Sequence, residues 1–155
     1  MKLALSTWNE IEERVLQSSA ILIPIGSIEQ HGPNGLLGTD ILCPEAIADA
    51  AAEMADILIA PSFSVGNAHH HLAFPGTVSL RPSTMIAAMM DWTASLYQHG
   101  FRDLIWLNGH GGNIATIQAA FAEIYGHNSY TTPGGTEPFE GLVCKLYNWW
   151  ELPGV

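Results

Sequence analysis

Ala20-Ile21-Leu22-Ile23-Pro24-Ile25-Gly26 is a short apolar run closed by a glycine. Its length suits a buried strand better than a helix, and the neighbouring segments are read outward from it. Upstream, Thr7-Trp8-Asn9-Glu10 has the form of a capping box, which predicts a helix to Gln17 with Trp8, Ile11 and Val15 along one side. Downstream, a long loop runs through Asp40. Pro44 then suits the first turn of a helix, and the alanine-rich stretch from Glu45 to Ala55 continues it. Ile57-Leu58-Ile59-Ala60 reads as a second strand, and residues 62–81 as a loop. From Pro82 to His99, Ile86, Met89, Met90, Thr93 and Leu96 recur at helical spacing, with Gly100 placed as a C-terminal cap. Leu104 to Leu107 is a third strand. Asn113 to Tyr125 is a helix with Ile114, Ile117, Phe121 and Ile124 on its face, closed by Gly126; residues 127–140 form a loop; Leu142 to Trp150 is a fourth strand.

Strands alternating with helices predict an α/β fold, a three-layer α/β/α sandwich around a mostly parallel sheet. The sequence reads as a single domain over residues 1–155. Its last residues follow a strand with no closing helix, so the sequence is expected to be unfinished.

Composition narrows the functional classes. Apolar residues make up 48% of the chain and charged residues only 13%, about half the usual share. Part of the surface is therefore expected to be covered, by a partner subunit or by further polypeptide. The net charge is −10, with Lys2, Arg14, Arg81, Arg102 and Lys145 scattered. Without a basic stripe, no nucleic-acid partner is expected, and the same acidity argues against an anionic membrane surface. No apolar run approaches a membrane span, and the opening residues are too short for a signal peptide. Cys43 and Cys144, far apart and outside any CxxC pattern, read as buried thiols in a reducing cytoplasm.

The chemistry gathers after the strands, where open parallel sheets place their sites. After the first come Glu29 and His31, which share one side of an extended chain, and then Asp40, whose carboxylate can bridge two cations. After the second come His69, His70 and His71, of which one or two can face a site. After the third comes Asn108-Gly109-His110-Gly111-Gly112-Asn113. Glycines there let a ligand approach the backbone closely, and the free amides of the following helix favour an anion; Gly111 and Gly112 are the expected substrate contacts. Carboxylates with imidazoles are ligands for divalent metals. The plainer alternatives are a polar loop with a surface His and an N-capping Asp, and a turn with an incidental His. His99 and His127, near helix ends, are assigned no function, while Trp149 and Trp150 are placed at a strand end near the site.

Ile25-Gly26-Ser27-Ile28-Glu29-Gln30-His31-Gly32-Pro33, Gly38-Thr39-Asp40, Phe74-Pro75-Gly76-Thr77 and Asn108-Gly109-His110-Gly111-Gly112-Asn113, in that order, closely resemble the creatininase (creatinine amidohydrolase) family. The resemblance implies a cytoplasmic, often oligomeric α/β hydrolase with two divalent metal ions (Zn, Mn or Fe), and a longer chain, so that the domain is expected to lack its last third here. It implies metal ligands at Glu29, His31, Asp40 and His110, with Asp40 bridging. The implied reaction is hydrolysis of a cyclic amide or formamide C–N bond by water activated at the metal pair. The proton for the leaving nitrogen would come from His71 or from a later segment. The chain departs from the pattern twice: Asn34 stands where many members have a second His, and Gly112 stands where creatininase has a ligating Glu. Members with the glycine version take that acid from a later segment, and the downstream acids here, Glu137, Glu140 and Glu151, lack a matching context. The rival expectation is a catalytically incomplete remnant or oligomer-forming module with a partial metal site. A more distant one is a sugar- or nucleotide-binding module.

Overall fold

The computed structural model describes residues 1–131 and 139–153. Four strands, β1 (Ala20–Ile25), β2 (Leu58–Ile59), β3 (Asp103–Asn108) and β4 (Val143–Asn148), form one sheet in the order β2-β1-β3-β4. Every pairing is parallel. The helices are α1 (Trp8–Gln17), α2 (Thr39–Ala55), α3 (Pro82–Gln98) and α4 (Ile114–Thr131).

Side chains alternate between the two faces of a strand, and the core divides accordingly. Ile21, Ile23, Ile25, Leu104 and Trp106 pack with Met85 and Met89 of α3 and with Ile117 and Ile124 of α4. Leu22, Ile59 and Leu107 point the other way, against Ala48 of α2. The expected three-layer sandwich is therefore present. On β4, Cys144 and Leu146 join the first core, whereas Val143, Lys145 and Tyr147 are exposed on the other face.

Local signals set most boundaries. Thr7 and Glu10 close the capping box of α1, and Ile11 and Val15 pack on the core, but Trp8 points outward at 76% exposure. Gly100 follows α3 at φ +101°, a conformation glycine adopts without a Cβ penalty.

Three boundaries differ from the sequence reading by more than one residue. Helix α2 begins at Thr39, so Asp40 lies in its first turn rather than in a loop, and Pro44 sits inside it. Pro44 has no N–H to give to the carbonyl of Asp40, and its ring crowds that same carbonyl. Helix α4 passes Gly126 and continues to Thr131; a single glycine costs about 1 kcal/mol in a helix, which packing can override. Strand β4 stops at Asn148, and Trp149–Glu151 form a 3₁₀ turn. The expected loop at 127–140 is thus partly helix, and Glu137 lies outside the described residues.

Candidate metal centre

The carboxyl ends of β1, β3 and β4 are level, with Ile25 opposite Asn108 and Asn108 opposite Asn148. The first turn of α2 packs directly onto two of these ends. A Cβ at Gly26 would stand 2.3 Å from the Asp40 carbonyl oxygen, and one at Gly109 would stand 1.8 Å from it. Both positions therefore require glycine, and that contact delivers Asp40 to His110. The intervening loop is closed by the Glu29 amide donating to the Leu37 carbonyl, and an isolated antiparallel bridge joins Ile28 to Val78.

Glu29, His31, Asp40 and His110 converge. His31 Nε2 lies 2.9 Å from Asp40 Oδ1, His110 Nδ1 lies 2.7 Å from Asp40 Oδ2, and His110 Nδ1 lies 3.4 Å from Glu29 Oε1. Single ligand atoms of Glu29, His31 and Asp40 all fall within 4.8 Å of one another. The remaining ring nitrogens fix the tautomers. His31 Nδ1 faces the backbone carbonyl of Glu29 at 3.1 Å, and His110 Nε2 faces that of Asn67 at 2.9 Å. A carbonyl only accepts, so each of these nitrogens carries the proton. In the neutral rings, the lone pairs of His31 Nε2 and His110 Nδ1 are thus turned onto the two oxygens of Asp40.

Two lone pairs against one carboxylate repel unless positive charge lies among them. Asp40 Oδ2 is buried and receives no directed hydrogen bond, although His110 Nδ1 is so close. That arrangement suits a cation, and backbone carbonyls orienting the imidazoles are the usual outer partners of metal-binding histidines. The four residues fit divalent ions. Without metal, protons serve instead. Burial acts to lower the His110 value, but Asp40, the Asn67 carbonyl and the charge of Glu29 outweigh it and raise it above the ordinary imidazole range. Burial acts to raise Asp40, but His110 and His31 outweigh it and hold the carboxyl below its usual value.

Of the other predicted residues, His71 and His70 lie against this cluster. His71 Nε2 stands 3.8 Å from Glu29 Oε1. The His70 ring stacks on His110 with centroids 5.9 Å apart. His69 turns aside to the Asn67 side chain. Gly111 is open, with nothing within 4 Å of a notional Cβ, whereas a Cβ at Gly112 would meet His110 Nε2 at 2.4 Å and the Asn67 carbonyl at 2.7 Å. Trp149 packs against the α2-side core. Glu151 accepts a hydrogen bond from Asn148 Nδ2.

Sequence reasoning missed the asparagines that join these loops. Asn113, fully buried, donates from Nδ2 to the Gly26 carbonyl at 2.9 Å and accepts at Oδ1 from the Asn67 amide at 2.9 Å. Asn108 donates to the His110 carbonyl at 2.8 Å and to Asn148 Oδ1 at 2.9 Å. The available signal was a pair of asparagines flanking the glycine loop; their partners are too distant in sequence to be read from it.

Comparison with known proteins identifies the family. The creatininase family model, described as creatinine amidohydrolase, matches residues 4–154. The chain belongs to the creatininase family. It is 34% identical over 159 residues to the creatinine amidohydrolase of Pseudomonas putida, covering 96% of this chain and 58% of that one. It is 36% identical over 106 residues to the 3-dehydro-scyllo-inosose hydrolase of Thermotoga maritima, covering 68% and 34%. A solved structure of manganese creatininase superposes with a TM-score of 0.84 at 28% identity, over 96% of this chain and 58% of that chain. The chain thus spans little more than half the length of these creatininases. Among its described residues no helix is long and apolar enough to cross a membrane.

Proposed function

We propose that this creatininase-family chain is a metal-dependent amidohydrolase acting on the C–N bond of a cyclic amide or formamide. The observation that carries the reading is Asp40, with an imidazole nitrogen against each carboxylate oxygen. Glu29, His31, Asp40 and His110 would hold two divalent ions (Zn, Mn or Fe), with Asp40 shared between them. Bound there, such ions would supply Lewis acidity toward a carbonyl oxygen and lower the pKa of water. The chain's own residues bind and orient. The carbonyls of Glu29 and Asn67 hold the two imidazoles, and the amides of Gly111 and Gly112 are assigned to the substrate oxyanion. His71 faces the cluster from the rim. The relatives' names support hydrolysis, and their variety leaves the choice of substrate to the loops. Assembly of several copies belongs to the same proposal, supported by apolar side chains exposed beside the site, among them Leu36, Leu72 and Phe74.

The test is hydrolysis of cyclic amide and formamide substrates before and after chelation, with Zn²⁺ or Mn²⁺ added back. Activity is expected to disappear and return; hydrolysis indifferent to chelation would refute the proposal. One observation favours a second reading, a partial and inactive metal site: Gly112 offers no carboxylate, and its missing Cβ faces His110 and Asn67. Elemental analysis separates the two, because about two metals per chain fit the dinuclear site whereas one or none fit the partial one.

A further inference from the structure

Among the polar groups at the rim of the cluster, Gln30 and His71 carry a chemical instruction of their own. The Gln30 side chain is oriented by the backbone: the Gly32 amide donates to Gln30 Oε1 at 2.9 Å. An amide N–H cannot face the NH₂ group, so the oxygen assignment is determined by this bond. The Gln30 NH₂ is thereby turned onto His71 Nδ1 at 2.9 Å. Since that nitrogen receives a hydrogen bond, it is bare, and the neutral ring carries its proton on Nε2. His71 Nε2 in turn points toward Glu29 Oε1 at 3.8 Å, too far for a hydrogen bond. The N–H is left without an acceptor there, on a side chain 25% exposed and reachable from solvent. The ring is steadied by neighbours, with His70 at 4.2 Å and Phe74 at 6.2 Å between centroids.

We infer that Gln30 is a positioning residue that fixes His71 as an Nε2–H donor to a substrate oxygen at the edge of the proposed metal centre. Two other roles are thereby excluded for His71. Its Nε2 has no lone pair for a cation, although Glu29, His70 and His71 offer ligand atoms within 4.8 Å of one another. Nor does it hand over a proton, because a neutral ring that loses Nε2–H is left as an imidazolate. The contribution is a held hydrogen bond to a carbonyl oxygen gaining negative charge, as an oxyanion donor makes. This replaces the proton-carrier role expected from the sequence. It rests on the amidohydrolase reading for its substrate but not for its geometry.

The experiment is ¹⁵N–¹H correlation of the histidine rings in the metal-free chain, repeated during a Zn²⁺ titration, for wild type and Gln30→Glu. In wild type, His71 is expected to show a bare Nδ1 and a protonated Nε2. Zn²⁺ is expected to shift His31 and His110 while His71 keeps its Nε2–H. Gln30→Glu puts a carboxylate oxygen where the amide donor was and leaves the Gly32 acceptor in place, so Nδ1 becomes protonated. The same variant is expected to lower kcat about 10²-fold, the usual scale for an oxyanion donor. A protonated Nδ1 in wild type, Zn²⁺ bound at His71 Nε2, or an unchanged tautomer in a folded Gln30→Glu would each overturn the inference. The wild-type spectrum decides alone if the variant does not fold. Failure of the metal reading is separately visible, as His31 and His110 signals that Zn²⁺ does not move.

Discussion

Asn113→Ala removes the side chain that joins three loops. In the native chain it satisfies the Gly26 carbonyl and the Asn67 amide, each at 2.9 Å, from a fully buried position. Leaving a buried donor or acceptor unpaired costs about 1–3 kcal/mol, and two are left here. The expected loss is about 2–6 kcal/mol, a large share of the roughly 5–15 kcal/mol by which domains are stable. A second effect follows from connectivity, because the peptide groups of Asn67 serve both side chains. Its amide is held by Asn113 and its carbonyl accepts from His110 Nε2. The variant therefore releases the group that sets the His110 tautomer, and outer-shell losses of this kind weaken metal binding about 10–100-fold. Urea unfolding of the chelated protein measures the first effect, and Zn²⁺ titration against a competing chromophoric chelator measures the second. A stability loss below about 1 kcal/mol with unchanged Zn²⁺ affinity would refute the reasoning, since one unpaired buried group alone should cost that much.

Gly111→Ala meets open space and is expected to change stability by less than about 0.5 kcal/mol. Gly112→Ala intrudes on the His110–Asn67 hydrogen bond and should weaken Zn²⁺ binding in the same titration. Gly109→Ala drives a Cβ into the Asp40 carbonyl; a loss above about 4 kcal/mol, or failure to fold, is expected in thermal unfolding. In the metal-free protein, the lowered Asp40 value adds stability that is present above the ordinary carboxylate range and lost as pH falls through the lowered value. The raised His110 value adds stability that is present below the ordinary imidazole range and lost as pH rises through the raised value. Tm with chelator should therefore peak between the two titrations, and stabilisation by Zn²⁺ should fade in acid as protons reclaim His110. A Tm indifferent to pH across that interval would contradict this. Burial pushes the Cys144 thiol up to about 11, so at neutral pH a thiol reagent should modify Cys43 first and Cys144 chiefly after unfolding.

The elements that were legible in the sequence are those whose burial leaves a local period. Strand β1 is apolar because both its faces are covered, and α3 repeats because one stripe meets the sheet. The ligand-type residues were legible because glycine-rich turns after strands mark the sheet edge where sites form. The start of α2 was not, because Pro44 resembles a first-turn residue, whereas the true first turn is set by the Leu42 amide donating to the Gly38 carbonyl and by the close packing of Gly26 and Gly109 on Asp40. The continuation of α4 past Gly126 was hidden by a glycine that suits a cap as well as a helix interior. The asparagine bonds and the Gln30–His71 pair depend on loops brought together by the fold, and no spacing announces them.

Asp40 belongs to the helix on one face of the sheet, and His110 leads into the helix on the other. A cation seated between them would therefore work as a removable cross-link through the top of the sandwich, closing a chain loop much as a disulfide does but at the discretion of metal supply. Hydrogen exchange in the first turn of α2 should then report metal occupancy even without any substrate.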